Sequence, residues 1–205
     1  FQVQDDGGTA NSGVDLDATP RTMTVNVTSV NDAPVGTNNT VTTLEDTAYT
    51  FTAADFGFTD PVDAASVAGA NALTAVEITT LPGAGTLQDN GVNVTAGQFV
   101  SLADISAGKL VFTPVANANG AGYAAFTFQV QDDGGTANGG VDLDTSARTM
   151  TVNVTSVNDA PVGTNNTVTT LEDTAYTFTA ADFGFTDPTD AGSVAGANAL
   201  TAVKI

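Results

Sequence analysis

The chain has 205 residues, with 23 acidic side chains against 4 basic ones, a net charge of −19, and no cysteine, histidine or tryptophan. That balance excludes a nucleic-acid binder, which needs a basic stripe over phosphates, and argues against docking on an anionic membrane. Disulfide stapling is ruled out, and no apolar run approaches the length of a membrane span.

No signal peptide opens the chain. It begins inside a strand pattern at Phe1-Gln2-Val3-Gln4, as expected of a segment of something longer. "VDLD" at 14–17 alternates acid and apolar residues along one strand face. Its aspartates Asp15 and Asp17, like Asp142 and Asp144 further on, read as an acidic edge that discourages edge-to-edge pairing. The Thr/Val/Asn alternation of 22–30 is a strand that stops at Asn31-Asp32-Ala33-Pro34, where proline removes a ladder donor. Strands are expected at 35–43 and 49–56, separated by Leu44-Glu45-Asp46-Thr47. Others follow at 73–79, 99–102, 109–113, 125–131 and 149–157. Gly, Asn, Asp and Pro clusters punctuate them at 60–61, 81–85, 89–91 and 132–135. Ser101 caps one expected helical turn containing Asp104, with Asp55 and Asp182 at loop boundaries. The tyrosines Tyr49 and Tyr123 and the phenylalanines Phe51, Phe56, Phe99, Phe112, Phe126 and Phe128 read as packing residues. About seven short strands with turn signals over roughly 100 residues predict an all-β, immunoglobulin-like Greek-key sandwich.

The sequence also repeats. Residues 1–78 match 128–205 at 71 of 78 positions with a period of 127. The differences are Ser12/Gly139, Ala18/Thr145, Thr19/Ser146, Pro20/Ala147, Val62/Thr189, Ala65/Gly192 and Glu77/Lys204. Solenoid repeats are far shorter, so each unit is expected to be a domain with its own core. Residues 34–160 then form one complete repeat, 1–33 the end of a preceding one, and 161–205 the start of the next. The alternative is a split unit, in which 1–30 pair with the strands after Val35, giving units 1–78 and 128–205 around 79–127.

Val-Asn-Asp-Ala-Pro, the Glu-Asp-Thr a dozen residues later, "GKLVFTPVANANGAGYAAFTFQVQDDGG" and the closing "TMTVNVTSVNDAP" resemble the cadherin-like tandem repeats of large bacterial RTX-type surface adhesins. The resemblance spans the whole chain. It implies an extracellular β-sandwich array on the bacterial surface that holds a ligand-binding tip away from the cell, with calcium between successive domains.

Chain direction in such a sandwich sorts the acidic loops. The 58–63 loop and the Asp132-Asp133 loop fall at the pole facing the preceding linker, and Glu45 and Asp46 fall at the opposite pole. Clustered carboxylates repel unless a cation joins them, and six to eight oxygens on flexible loops suit calcium. The implied ligands at the first linker are Asn31 and Asp32 with Asp60, Asp63, Asp132 and Asp133. At the second they are Glu45, Asp46, Asn158 and Asp159 with Asp187 and Asp190. Each set lacks part of the full complement.

An enzyme is not expected, because there is no histidine or cysteine and the serines have no base beside them. The leading expectation is a calcium-rigidified spacer whose partners are the neighbouring repeats of the same chain, itself monomeric. The alternatives are a module binding sugar, ice or a host surface, and homophilic adhesion, which an inserted tryptophan would have favoured.

Overall fold

The computed structural model describes residues 1–205. Nine strands and one short α-helix make up the ordered sandwich: β1 Asn39–Leu44, β2 Tyr49–Thr50, β3 Leu73–Ile78, β4 Thr86–Asp89, β5 Val92–Asn93, β6 Gln98–Ser101, α1 Leu102–Ser106, β7 Leu110–Thr113, β8 Gly120–Asp132 and β9 Arg148–Thr155. They form two sheets, β1-β9-β8-β3-β6 and β2-β7-β4-β5. All neighbours pair antiparallel except β1 and β9, the first and last strands, which run parallel from Asn39↔Met150 to Leu44↔Thr155. The protein is therefore an all-β sandwich.

Alternation places the core. In β9, Met150, Val152 and Val154 point inward while Thr149, Thr151 and Asn153 do not. Eighteen buried apolar residues, from Val41 to Val154, fill the space between the sheets. Phe51 meets Phe126 edge-to-face at 5.5 Å, and Phe56 meets Phe128 at 4.9 Å, both geometries that aromatic quadrupoles favour. Ser101 caps α1 through its Oγ, which accepts from the Asp104 N–H.

Several expectations are corrected. The alternating run at 49–56 leaves the sheet after Thr50. Asp55 accepts from the Thr52 N–H and hydroxyl, a capping box that turns 53–56 into a 3₁₀ helix. The Asn90-Gly91 turn, both residues at positive φ, joins a hairpin of β4 and β5 that the sequence reading took only as a turn. Phe99 is 47% exposed, on the outer face of β6. Asp144 is no exposed edge acid: it is 1% exposed and accepts from Arg148 Nε at 2.8 Å, the Gly36 N–H at 2.9 Å and the Ser146 N–H at 3.0 Å. Its copy Asp17 pairs likewise with Arg21.

Outside the sandwich, residues 1–30 make a loose ribbon whose only bridge is Gln4↔Leu16. The strand that pairs with β1 is β9, not a strand from 1–30 as the split unit would have it. Thr22–Thr28, the copy of most of β9, pairs with nothing. In 161–205 the local turns recur: Val162↔Thr186 repeats Val35↔Thr59, and the 3₁₀ turn Ala180–Phe183 repeats Ala53–Phe56.

Candidate metal centre

The loops at the leading pole are drawn together by amides. The Asp32 N–H donates to Asp63 Oδ2 at 2.8 Å, so the linker is tied to the loop after β2. Asn31 Nδ2 donates to Asp132 Oδ1 at 3.1 Å and to the Val141 carbonyl at 2.7 Å. The Asn71 N–H donates to Asp60 Oδ2 at 2.6 Å, and its side chain donates to Asn31 Oδ1 and to Asp63 Oδ2. Asp133 accepts from the Ala72 N–H at 2.7 Å. Five of the six residues expected at this linker therefore share one network, Asp32 through its backbone N–H alone, and Asp133 is fixed beside it through Ala72. Gly134 permits it, because a Cβ there would overlap the Asn31 side-chain carbonyl and crowd the Asn71 amide.

The network leaves oxygens over. Asp60 and Asp132 are 5% and 3% exposed, yet Asp60 Oδ1 and Asp132 Oδ2 have no hydrogen-bond partner. Buried carboxylate oxygens without a donor cost free energy, and a cation is one group that would satisfy them.

At the trailing pole the carboxylates come closest. Glu45 from the loop after β1, Asp159 from the linker and Asp190 from the 3₁₀ turn at 190–192 offer oxygens that all lie within 4.8 Å of one another. This cluster can hold a metal ion. The Asp159 N–H donates to Asp190 Oδ2 at 3.0 Å, repeating the Asp32–Asp63 tie one period earlier. Asn198 repeats Asn71, donating to Asp187 Oδ2 at 2.7 Å and to Asn158 Oδ1 at 2.6 Å. Asp187 Oδ1 is again buried without a partner. Asp46 faces the cluster closely enough to raise the Asp159 pKa, and its Oδ1 accepts from the Asn117 N–H. Arg21, Lys109 and Arg148 are each paired elsewhere and Lys204 forms no ion pair, so none of the four basic side chains neutralises these acids.

Sequence reasoning missed three residues. Asn71 and Asn198 are the amides that stitch linker to loop at either pole. Asn119 donates to Glu45 Oε2 at 2.8 Å and accepts from the Val194 N–H at 3.1 Å, bridging the sandwich to the segment beyond the linker. Recurrence of Asn71 and Asn198 at the period of 127 was their one sequence signal; Asn119 has none.

Electrostatics follow the geometry. Burial pushes the Asp132 carboxyl up, and the Gly134 and Asn31 donors offset this only in part. Asp159 is pushed up by desolvation and then by Asp190, Glu45, Asp46 and Asp187. Glu45 is held below the ordinary glutamate value by the Val157 N–H and by Asn119. A carboxyl whose folded pKa exceeds its unfolded one stabilises the fold as pH falls through that folded value, because the folded state then binds more protons. Glu45 works the other way, and its contribution is lost only as pH falls below about 4. Melting in chelator is therefore expected to show a stability maximum on the acid side of neutrality. A monotonic loss of melting temperature from pH 7 downward would contradict this.

Comparison of the chain with protein-family models, with curated proteins and with solved structures gives no match.

Proposed function

We propose that the chain is a spacer of an extracellular bacterial adhesin, whose repeats are locked in line by calcium at the linkers. The observation that carries this reading is the position of the Glu45–Asp159–Asp190 cluster. Its three carboxylates come from the sandwich, the linker and the following segment. A divalent ion joining them adds a direct carboxylate tie between three parts of the chain that are otherwise held by the backbone and a few hydrogen bonds through Asn119, Asp190 and Glu45. The resemblance to cadherin-like adhesin repeats supports the same reading, and so does the near-identity of the two copies, since duplication lengthens a spacer without new chemistry.

Calcium suits the donor set better than magnesium. The donors are carboxylate and amide oxygens on loops, numerous and irregularly placed, whereas magnesium demands a tight octahedron and keeps its water. Glu45, Asp159 and Asp190 would hold the ion, with Asp46, Asp187 and Asn158 around them. At the other linker Asp60, Asp63, Asp132 and Asp133 would do so, with Asn31 and Asp32. The ion would supply charge neutralisation and a rigid joint.

The test is small-angle scattering with melting, in calcium and in chelator. An affinity of ~10⁻⁴ to 10⁻³ M is typical of extracellular modules. Calcium well above that range is expected to straighten the chain and raise its melting temperature by mass action, with magnesium reproducing little of either. Asp159→Ala should lose most of the calcium response while its melting in chelator stays close to wild type. Glu77→Gln is the control, because the Glu77 side chain makes no hydrogen bond or ion pair and its counterpart in the other copy is Lys204. Identical scattering in calcium and chelator, or an undiminished response in Asp159→Ala, rejects the proposal.

A further inference from the structure

The acids of the trailing pole are held by a loop that belongs neither to the linker nor to the repeated sequence. Residues 114–119 connect β7 to β8 and bond both acids of the turn after β1. The Asn117 N–H donates to Asp46 Oδ1 at 3.0 Å, and Asn119 Nδ2 donates to Glu45 Oε2 at 2.8 Å. The other Glu45 oxygen, Oε1, accepts from the Val157 N–H. Glu45 is 4% exposed, so its carboxylate is fixed in direction at both oxygens, and each oxygen keeps a lone pair free.

The same amide of Asn119 reaches across the junction. Its Oδ1 accepts from the Val194 N–H at 3.1 Å. The Ser193 N–H donates to the Asp190 carbonyl at 2.9 Å, which ties Val194 to the 3₁₀ turn that carries Asp190. One planar group therefore stands between the element bearing Glu45 and the element bearing Asp190. It makes the one hydrogen bond that joins the sandwich to the following segment without passing through the linker. Its orientation is forced, because an ionised carboxylate only accepts and a backbone N–H only donates. Asparagine alone among side chains of its size and shape meets both demands: aspartate has the acceptor without the donor, and leucine has neither.

The need for such a brace follows from charge. Glu45, Asp159 and Asp190 bring oxygens within 4.8 Å of one another, and like charges at that separation repel until a cation joins them. Asp187, 6% exposed at the same pole, adds a buried oxygen that no donor satisfies. Without a brace the empty site would splay.

We propose that Asn119 is the positioning residue of this cation site: it holds Glu45 and Asp190 at ion-binding separation before the ion arrives, and it fixes the direction in which the following segment leaves the sandwich. The first half rests on the calcium reading given above; the second does not. Holding ligands in place in advance raises affinity, because the ion then has less to order on binding.

The test uses the full 205-residue chain, which has no cysteine of its own. Thr40→Cys and Thr201→Cys, both at exposed positions, take a donor and an acceptor dye. Single-molecule energy transfer then reads the distance between them, beside a calcium titration. In chelator, Asn119→Ala is expected to reduce the population at the wild-type distance several-fold, the scale of one lost hydrogen bond. Its dissociation constant for calcium should rise about tenfold, as for other groups that hydrogen-bond to metal ligands. Saturating calcium should restore the wild-type distance, since the three carboxylates are intact. Asn119→Asp keeps the size and the acceptor for Val194 but sets a like charge against Glu45, so in chelator it should open the junction further than alanine does. An Asn119→Ala chain that keeps either the wild-type distances in chelator or the wild-type calcium affinity overturns the proposal. So does a distance that saturating calcium fails to restore, which would make Asn119 a residue of loop folding only. A wild type that takes up no calcium instead overturns the spacer reading, and the Glu45 half of the proposal with it; the distances in chelator then decide the Val194 half.

Discussion

Asp144→Ala is expected to cost about 3–5 kcal/mol, the range for removing one partner of a buried ion pair. In a domain of this size that corresponds to a fall in melting temperature of about 4 °C for each kcal/mol. The carboxylate is 1% exposed and receives four hydrogen bonds, two from the Arg148 guanidinium and one each from the Gly36 and Ser146 amides. Alanine removes the acceptor of the buried Gly36 N–H and leaves the Arg148 guanidinium, 28% exposed, without its carboxylate. Burial alone would push the Asp144 carboxyl up. The guanidinium and the two amides together outweigh that and hold it below the ordinary aspartate value. Its contribution is therefore present above about pH 4 and disappears as pH falls through the lowered folded pKa. Asp144→Ala should accordingly flatten the acid limb of the stability curve as well as lower its plateau. A cost under about 1 kcal/mol, the range of exposed pairs, would show that the pair is a surface contact.

Phe51→Ala should be comparably severe, at about 3–5 kcal/mol for deleting a buried aromatic ring. Phe51 is fully buried, lies 5.0 Å from the Tyr49 ring, 5.9 Å from Phe56 and 5.5 Å from Phe126, and joins the two sheets. The Phe51 N–H also donates to the Leu110 carbonyl at 3.0 Å, so the backbone cannot close over the cavity without giving up a bond. The molecule carries its own control. Phe178 is the same residue one period later, 60% exposed, and Phe178→Ala should change sandwich stability by no more than about 0.5 kcal/mol. Equal losses in the two variants, read by chemical denaturation, would mean that the core is not where the strands put it.

Much of the fold was legible because inward and outward residues alternate so cleanly. Met150, Val152 and Val154 on β9 and Leu110 and Phe112 on β7 could be assigned to the interior from spacing alone. The candidate site was legible for a different reason. In a sandwich, chain direction decides which loops share a pole, and Asp32, Asp60, Asp63 and Asp132 needed only that. What stayed hidden depended on contacts between residues without a pattern of their own. Val92 and Asn93 form an edge strand with both side chains exposed, so no alternation marks it. The capping box at Thr52 and Asp55 overrode an alternation that favoured continued strand. Asp144 looked like a surface acid because its partner Arg148 sits across a tight turn that only the folded backbone closes. Asn71 and Asn119 are neutral amides in Ala- and Asn-rich stretches, and their importance comes from bridging two elements.

The parallel neighbours β1 and β9 have a mechanical consequence. The chain enters the sandwich just before β1 at one pole and leaves it just after β9 at the other, so tension applied between these two points pulls the two strands past each other lengthwise. Their slanted bonds, in register from Asn39↔Met150 to Leu44↔Thr155, are then loaded in shear and share the force. They cannot be peeled open one at a time as in a hairpin pulled from its open end. The rupture force of the sandwich should accordingly be greatest along the line between its own two ends.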